Sequence, residues 1–169
     1  MKQFSKSTGE IEDQGGAMPA LTGQVTVAIA ATRAFEYVAD LNNGPLWIPY
    51  LSSAQQTSES DGAALEALLT VSIGGQELTG TGQCVEWDPP TYFALEGTFD
   101  AGARFVLEVE LEEGENGCTV YATVEFELAT SGLGAAAARL VGERMLKSEL
   151  EKAMTALRLQ LNALETAAR

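Results

Sequence analysis

The sequence predicts an α+β domain in which a curved antiparallel sheet of seven strands wraps around one long C-terminal helix, leaving an apolar cavity between them. Three observations lead there. Between residues 23 and 128, apolar side chains recur at every second position in segment after segment, the period of half-buried strands. From about residue 134 to about 167 the period changes to roughly 3.6, that of an amphipathic helix. The strand faces opposite the apolar ones carry charge, as Glu108, Glu110 and Glu112 do, so the sheet has one wet face and one that must be covered. A single long apolar helix is the element available to cover it.

Gly23 to Ala31 alternates, with Val25, Val27 and Ile29 on one face, and forms the first strand. Thr32 can cap the following turn through its hydroxyl, and Phe35, Val38 and Ala39 give a short amphipathic helix ending near Asp40. Leu41 to Tyr50 holds Asn42-Asn43-Gly44-Pro45 and Pro49, so it cannot be a long regular helix. Ser52 to Ser60 reads as a weak polar strand turned at Asp61-Gly62. Ala63 to Ile73 places Leu65, Ala67, Leu69, Val71 and Ile73 on one side. A two-residue turn at Gly74-Gly75 then sets Ile73 opposite Gln76, Val71 opposite Leu78, Leu69 opposite Gly80 and Ala67 opposite Gly82. The fourth strand runs to Pro89-Pro90; Tyr92 to Thr98 and Ala103 to Leu111 are the fifth and sixth. Cys118 to Leu128 alternates longest and is the seventh.

In the last segment Leu140, Leu146, Leu150, Ala153, Leu157 and Leu161 fall near one stripe. A helix from about 134 to 167 is about 50 Å long, so either its first turns bend near Gly142 or its last turns project. Residues 1–19 lack periodicity and are rich in Gly, Ser, Gln and charge; they are expected to be a disordered lead to a single domain over residues 20–169.

Composition narrows the function. The chain has 169 residues, 46% apolar and 20% charged, with no run of about 18 apolar residues; stable membrane insertion is not expected. A cytoplasmic location is the default, although an exported chain with its signal removed has the same appearance. The net charge is −14, with residues 1–138 holding four basic and 20 acidic residues and residues 139–169 six basic and four acidic. So acidic a body repels phosphate backbones, and nucleic acid is not an expected partner. There is no histidine. That removes histidine-based catalytic triads, most zinc sites and the usual near-neutral base together. Cys84 and Cys118 lack metal-ligand spacing and sit at apolar-face positions, as buried free thiols do. No metal, cofactor or catalytic residue is assigned, and oligomeric state is left open.

Several stretches resemble a known superfamily. They are Val27 to Val38 as a strand entering a helix, Asp40-Leu41 with Pro45-Leu46-Trp47-Ile48-Pro49, Val85-Glu86-Trp87-Asp88-Pro89-Pro90 at a strand end, and the leucine-rich Leu157 to Glu165. Together with the element order they resemble the START-like (SRPBCC) superfamily that includes the polyketide cyclase/dehydrase and lipid-transport group, over about residues 21–167. The Asp88 to Tyr92 segment is also similar to a branch of that superfamily named for a subunit of carbon monoxide dehydrogenase. The resemblance implies a helix-grip fold and a START-like ligand-binding domain. It leaves function open, since relatives include cyclases, dehydratases, lipid carriers, hormone receptors and assembly factors. Family cyclases place polar and basic side chains in the cavity, and here no histidine can serve.

The candidate ligand-binding residues are Trp47, Leu69, Gly80, Gly82, Phe105, Ala122 and Leu140. Trp47 lies between prolines at one expected mouth, and an indole offers a broad apolar face with one donor; Tyr50 is expected at the rim. Gly80 and Gly82 leave gaps on an apolar face, which serve either sheet curvature or a bound molecule. Phe99, Phe105, Phe126 and helix leucines are the groups that would otherwise fill the space. Glu86 continues the apolar face and there would suit a general acid or base, unless a bulge returns it to water. Arg104 is expected on the outer face; Arg139 and Arg144 are better placed to meet an acidic ligand. The expected function is binding or transport of a small hydrophobic molecule, with a polyketide cyclase or dehydratase, or a non-catalytic accessory protein, as the alternatives.

Overall fold

Alternation produces strands wherever the sequence sustains it. The computed structural model describes residues 20–58, 65–73, 75–127 and 135–167, with the side chains at 73, 76, 101 and 135–141 outside that description. The expected lead over residues 1–19 and the first glycine of the Gly74-Gly75 turn lie outside the described residues. The strands are β1 (Leu21–Val27), β2 (Leu51–Gln56), β3 (Glu66–Ile73), β4 (Gln76–Asp88), β5 (Tyr92–Phe99), β6 (Arg104–Gly114) and β7 (Gly117–Glu127). They form one sheet in the order β1-β7-β6-β5-β4-β3-β2, every neighbouring pair antiparallel. The β3–β4 register is the one the glycine turn implies, from Ile73 opposite Gln76 to Ala67 opposite Gly82. Gly75 has φ +80°, a conformation a side chain would strain.

Between β1 and β2 come α1 (Ala31–Ala39), a 3-10 turn (Leu41–Asn43) and α2 (Gly44–Trp47). Thr32 does not cap α1. The cap position is Ala30, which puts Thr32 inside the first turn. The Ala31 N–H instead donates to Glu113 Oε2 of β6 at 3.0 Å, tying the start of α1 to the sheet. Asp40 Oδ1 accepts from the Asn42 N–H at 3.0 Å and caps the 3-10 turn. Pro45 sits in the first turn of α2, where a missing N–H costs nothing, and the helix ends before Pro49.

The last helix, α3 (Ala135–Ala167), runs 33 residues without a break at Gly142, about 50 Å, and its last residues Thr166 and Ala167 are exposed. Leu150, Ala153, Met154, Leu157 and Leu161 are buried, the stripe the 3.6 period marks. Gly23 lets α3 seat against β1, because a Cβ there would lie 2.7 Å from Met154 Cγ. The larger cluster of buried side chains lies where β1, β6 and β7 meet α1 and the C-terminal half of α3, around Val25, Val109, Val120, Leu157 and Leu161. A second cluster gathers Ala67, Leu69 and Val71 of β3 with Phe99 and Ala103. Cys84 and Cys118 are buried and free. No helix among the described residues is long and apolar enough to cross a membrane.

Candidate functional site

Between the two clusters the concave face is not filled. A cavity of about 470 Å³ lies there, bounded by α2 and the chain after it, by β3 to β7, and by the N-terminal half of α3. Small-molecule sites span roughly 300–1,000 Å³, so the space has the size of one. From α3 the wall takes Gly142, Met145, Leu146 and Glu149, spaced so that they share one helix face. The sheet supplies Leu69, Val71 and Leu78, and the rings of Phe99, Phe105 and Phe126. Phe99 lies 5.3 Å from Phe105 and 6.2 Å from Phe126, centroid to centroid. These rings, candidates to fill the space, narrow it without closing it. On the α1 side Phe93 belongs to the wall and packs edge-on against Phe35 at 5.7 Å.

Polar groups on the wall are few. Trp47 is 4% exposed, and its buried Nε1–H has no hydrogen-bond partner among the described residues. A buried donor left unpaired costs about 1–3 kcal/mol, so this is an unmet demand at the cavity wall. The Tyr50 phenol is pushed up to about 12, by burial first and then by the Glu149 carboxylate. It therefore stays neutral near pH 7 and keeps both a donor and an acceptor. Glu149 is the one charged residue among the described residues of the wall. Its Oε1 meets Lys152 Nζ at 2.7 Å on the solvent side, where Lys152 is mostly exposed.

The structure brings Trp47, Leu69 and Phe105 together on this wall, and Tyr50 with them. Gly80, Gly82 and Ala122 are not part of it. A Cβ on Gly80 would run into the Thr98 carbonyl oxygen and come 2.5 Å from Phe99 Cδ1. Over Gly82 lie Leu69 Cδ1 at 3.1 Å and Phe105 Cζ at 3.3 Å. Gly82 faces Gly97 across the ladder, and the Phe105 ring covers both. The absent side chains make room for the protein's own rings at a close approach of strands. Ala122 is buried between Gly23 of β1 and Val109 of β6, in the densely packed part of the sheet. The Leu140 and Arg139 side chains lie outside the described residues.

Glu86 is exposed. The ladder shifts register between Cys84 and Glu86, and that irregularity turns the carboxylate to water. Arg104 and Arg144 are exposed and off the cavity wall. The sequence reading missed Gly142, Met145, Leu78 and Glu149 as wall residues. The i, i+3, i+7 spacing of Gly142, Met145 and Glu149, beside Leu146, was the available signal. A larger, shallower depression of about 680 Å³, which Gly82, Gly97, Phe105 and Phe126 also border, is lined by the charged side chains of Glu66, Glu96, Arg104, Glu125 and Glu127. Those side chains are on the wet face of the sheet and all but Glu96 are exposed, so it does not enclose an apolar guest.

Known structures share this architecture. The Zhui aromatase/cyclase from Streptomyces sp. R1128 superposes with a TM-score of 0.72 at 19% identity, covering 90% of this chain and 96% of that one. The protein TTHA0849 from Thermus thermophilus gives 0.71 at 16% identity, covering 86% and 99%. A START superfamily protein from Mycobacterium smegmatis gives 0.62 at 15% identity, covering 89% and 99%. At such identities these likenesses show the helix-grip fold alone. No curated protein has a matching sequence. Residues 18–162 match the family described as polyketide cyclase / dehydrase and lipid transport. The chain therefore belongs to the polyketide cyclase/dehydrase and lipid-transport family, within the START-like fold.

Proposed function

We propose that the chain binds or carries a small, mainly hydrophobic molecule in the cavity between α3 and the sheet. One observation carries this reading: a space of about 470 Å³ walled by Leu69, Val71, Leu146 and a set of aromatic rings, at a place where protein interiors normally pack without voids. The Trp47 indole N–H, without a partner among the described residues, and the neutral Tyr50 phenol give such a guest a few points of orientation, the usual composition of a small-molecule site. Titration with an environment-sensitive apolar dye tests the reading, comparing the parent with Leu146→Trp, which adds bulk to the cavity wall from a half-buried helix position. Saturable binding in the parent, weakened at least about tenfold in a variant with unchanged circular dichroism, is expected. Dye binding that is non-saturable, or identical in both, would overturn it.

A second reading, proton transfer on a polyketide-like compound, is favoured by the presence of Tyr50 and Glu149 on the same wall. It requires that a bound poly-β-keto substrate turn over with Tyr50 and Glu149 present and stop turning over in Tyr50→Phe. Binding without turnover leaves the carrier reading alone.

A further inference from the structure

We propose that the cavity selects its guest by charge, admitting uncharged and cationic amphiphiles and rejecting carboxylates, with Glu149 as the selecting group. The proposal rests on the ligand-binding reading above and names the chemical class that reading leaves open. Its basis is the distribution of charge on α3. Arg144, Lys147 and Lys152 are all exposed and none of them belongs to the cavity wall, whereas Glu149, on the same helix, does. Across the cavity the chain around α2 contributes Trp47, Ile48, Pro49 and Tyr50, and the sheet contributes hydrocarbon and Ser72, so among the described residues no cation faces Glu149 from the opposite wall.

A guest with its apolar body among Leu69, Phe99 and Phe105 and its head towards α3 places that head beside a carboxylate and a phenol. A hydroxyl head finds an acceptor in Glu149 and a donor or acceptor in the Tyr50 hydroxyl. An ammonium head gains a charge-assisted hydrogen bond as well. A carboxylate head meets a like charge at a partly buried position, where screening is weaker than in open water. Lys152 does not reverse this, because it reaches Glu149 Oε1 from solvent and is itself mostly exposed. The −14 charge of the whole chain acts in the same direction, but at long range and subject to salt.

The test uses three probes with one aromatic body: 2-naphthalenemethanol, 2-naphthylmethylamine and 2-naphthoate. Each is titrated by its own fluorescence against the full chain at neutral pH, in salt that shortens the Debye length below about 8 Å so that only local charge counts. The alcohol reports the cavity itself. The amine is expected to bind about tenfold or more tightly than the carboxylate. Glu149→Gln is expected to bring amine and carboxylate within about threefold of each other, and Lys152→Gln to widen the gap. If the alcohol binds and the carboxylate matches or exceeds the amine in the parent, the charge selection is wrong and the cavity reading stands. If the parent discriminates but Glu149→Gln does so equally, the selecting group is not Glu149 and the proposal fails in that form. If none of the three binds, the ligand-binding reading falls and the selection falls with it.

Discussion

The two halves of α3 face the same sheet and are treated differently by it. From Leu150 onward the helix presents Leu150, Ala153, Met154, Leu157 and Leu161 to β1 and its neighbours and buries them, and the groove of about 510 Å³ left beside Leu21 to Gln24 is edged by the charged Glu143, Lys147, Glu151 and Arg158. Towards its N-terminus the same face presents Gly142, Met145, Leu146 and Glu149 to β3, β4 and β5, and a cavity remains. Leu150, Leu157 and Leu161, with Ala153 and Met154 between them, are buried along the C-terminal half. A glycine, a flexible methionine and a carboxylate cannot seal the N-terminal one. The glycines of the sheet divide the same way. Gly23 brings α3 down onto β1, whereas Gly80, Gly82 and Gly97 lie under the Phe99 and Phe105 rings that form the cavity's far wall. One helix thus serves as a core element at one end and as one side of a container at the other.

Substitutions can break or sharpen that contrast. Leu157→Ala should cost about 2–5 kcal/mol, since Leu157 is wholly buried and its truncation leaves a void in the core. Leu146→Ala, at a half-buried position already bordering open space, should cost about 1 kcal/mol or less. Equal losses in urea unfolding would erase the distinction between the halves. Gly97→Ala should cost about 1–3 kcal/mol, because its Cβ would meet the Thr81 carbonyl oxygen and come 2.6 Å from Phe105 Cε1. A neutral result would mean that the ring does not press on the glycine pair.

A further effect concerns pH. The Tyr50 phenol titrates near 12 in the folded chain against an ordinary value of 10.0. A raised folded value stabilises fully below about pH 10 and is lost as pH rises through about 12, since only the unfolded chain ionises readily in that window. Tyr50→Phe should therefore track the parent's stability at a constant offset up to about pH 10 and gain on it between pH 10 and 12. An offset constant through pH 12 would place Tyr50 in water and away from Glu149.

Much of the fold was legible because strand and helix periods are local. The β3–β4 register followed from two glycines, and the span of α3 from where period two gives way to 3.6. Trp47, Leu69 and Phe105 were legible as wall residues because an apolar face and a proline-bounded segment mark them. Gly80 and Gly82 mislead because their spacing announces missing side chains without saying what fills the gap; that depends on Phe99 and Phe105, whose approach is tertiary. Glu86 reads as inward because alternation carries no trace of the irregularity after Cys84. Glu149 does not stand out because a carboxylate beside a leucine stripe normally faces water, and only the divergence of α3 from β3 makes that position a wall.

The central claim is that a guest sits between the N-terminal half of α3 and the sheet, and a crystal structure of the chain with 6-bromo-2-naphthalenemethanol tests it most directly. Anomalous scattering from bromine locates the ring without relying on the shape of weak density. One strong bromine peak is expected, enclosed by Trp47, Leu69, Phe105 and Leu146, with the hydroxyl towards Tyr50 and Glu149. A bromine peak only on the outer sheet face by Glu66 and Arg104, or side chains collapsed across the cavity with no bromine inside it, would contradict the account.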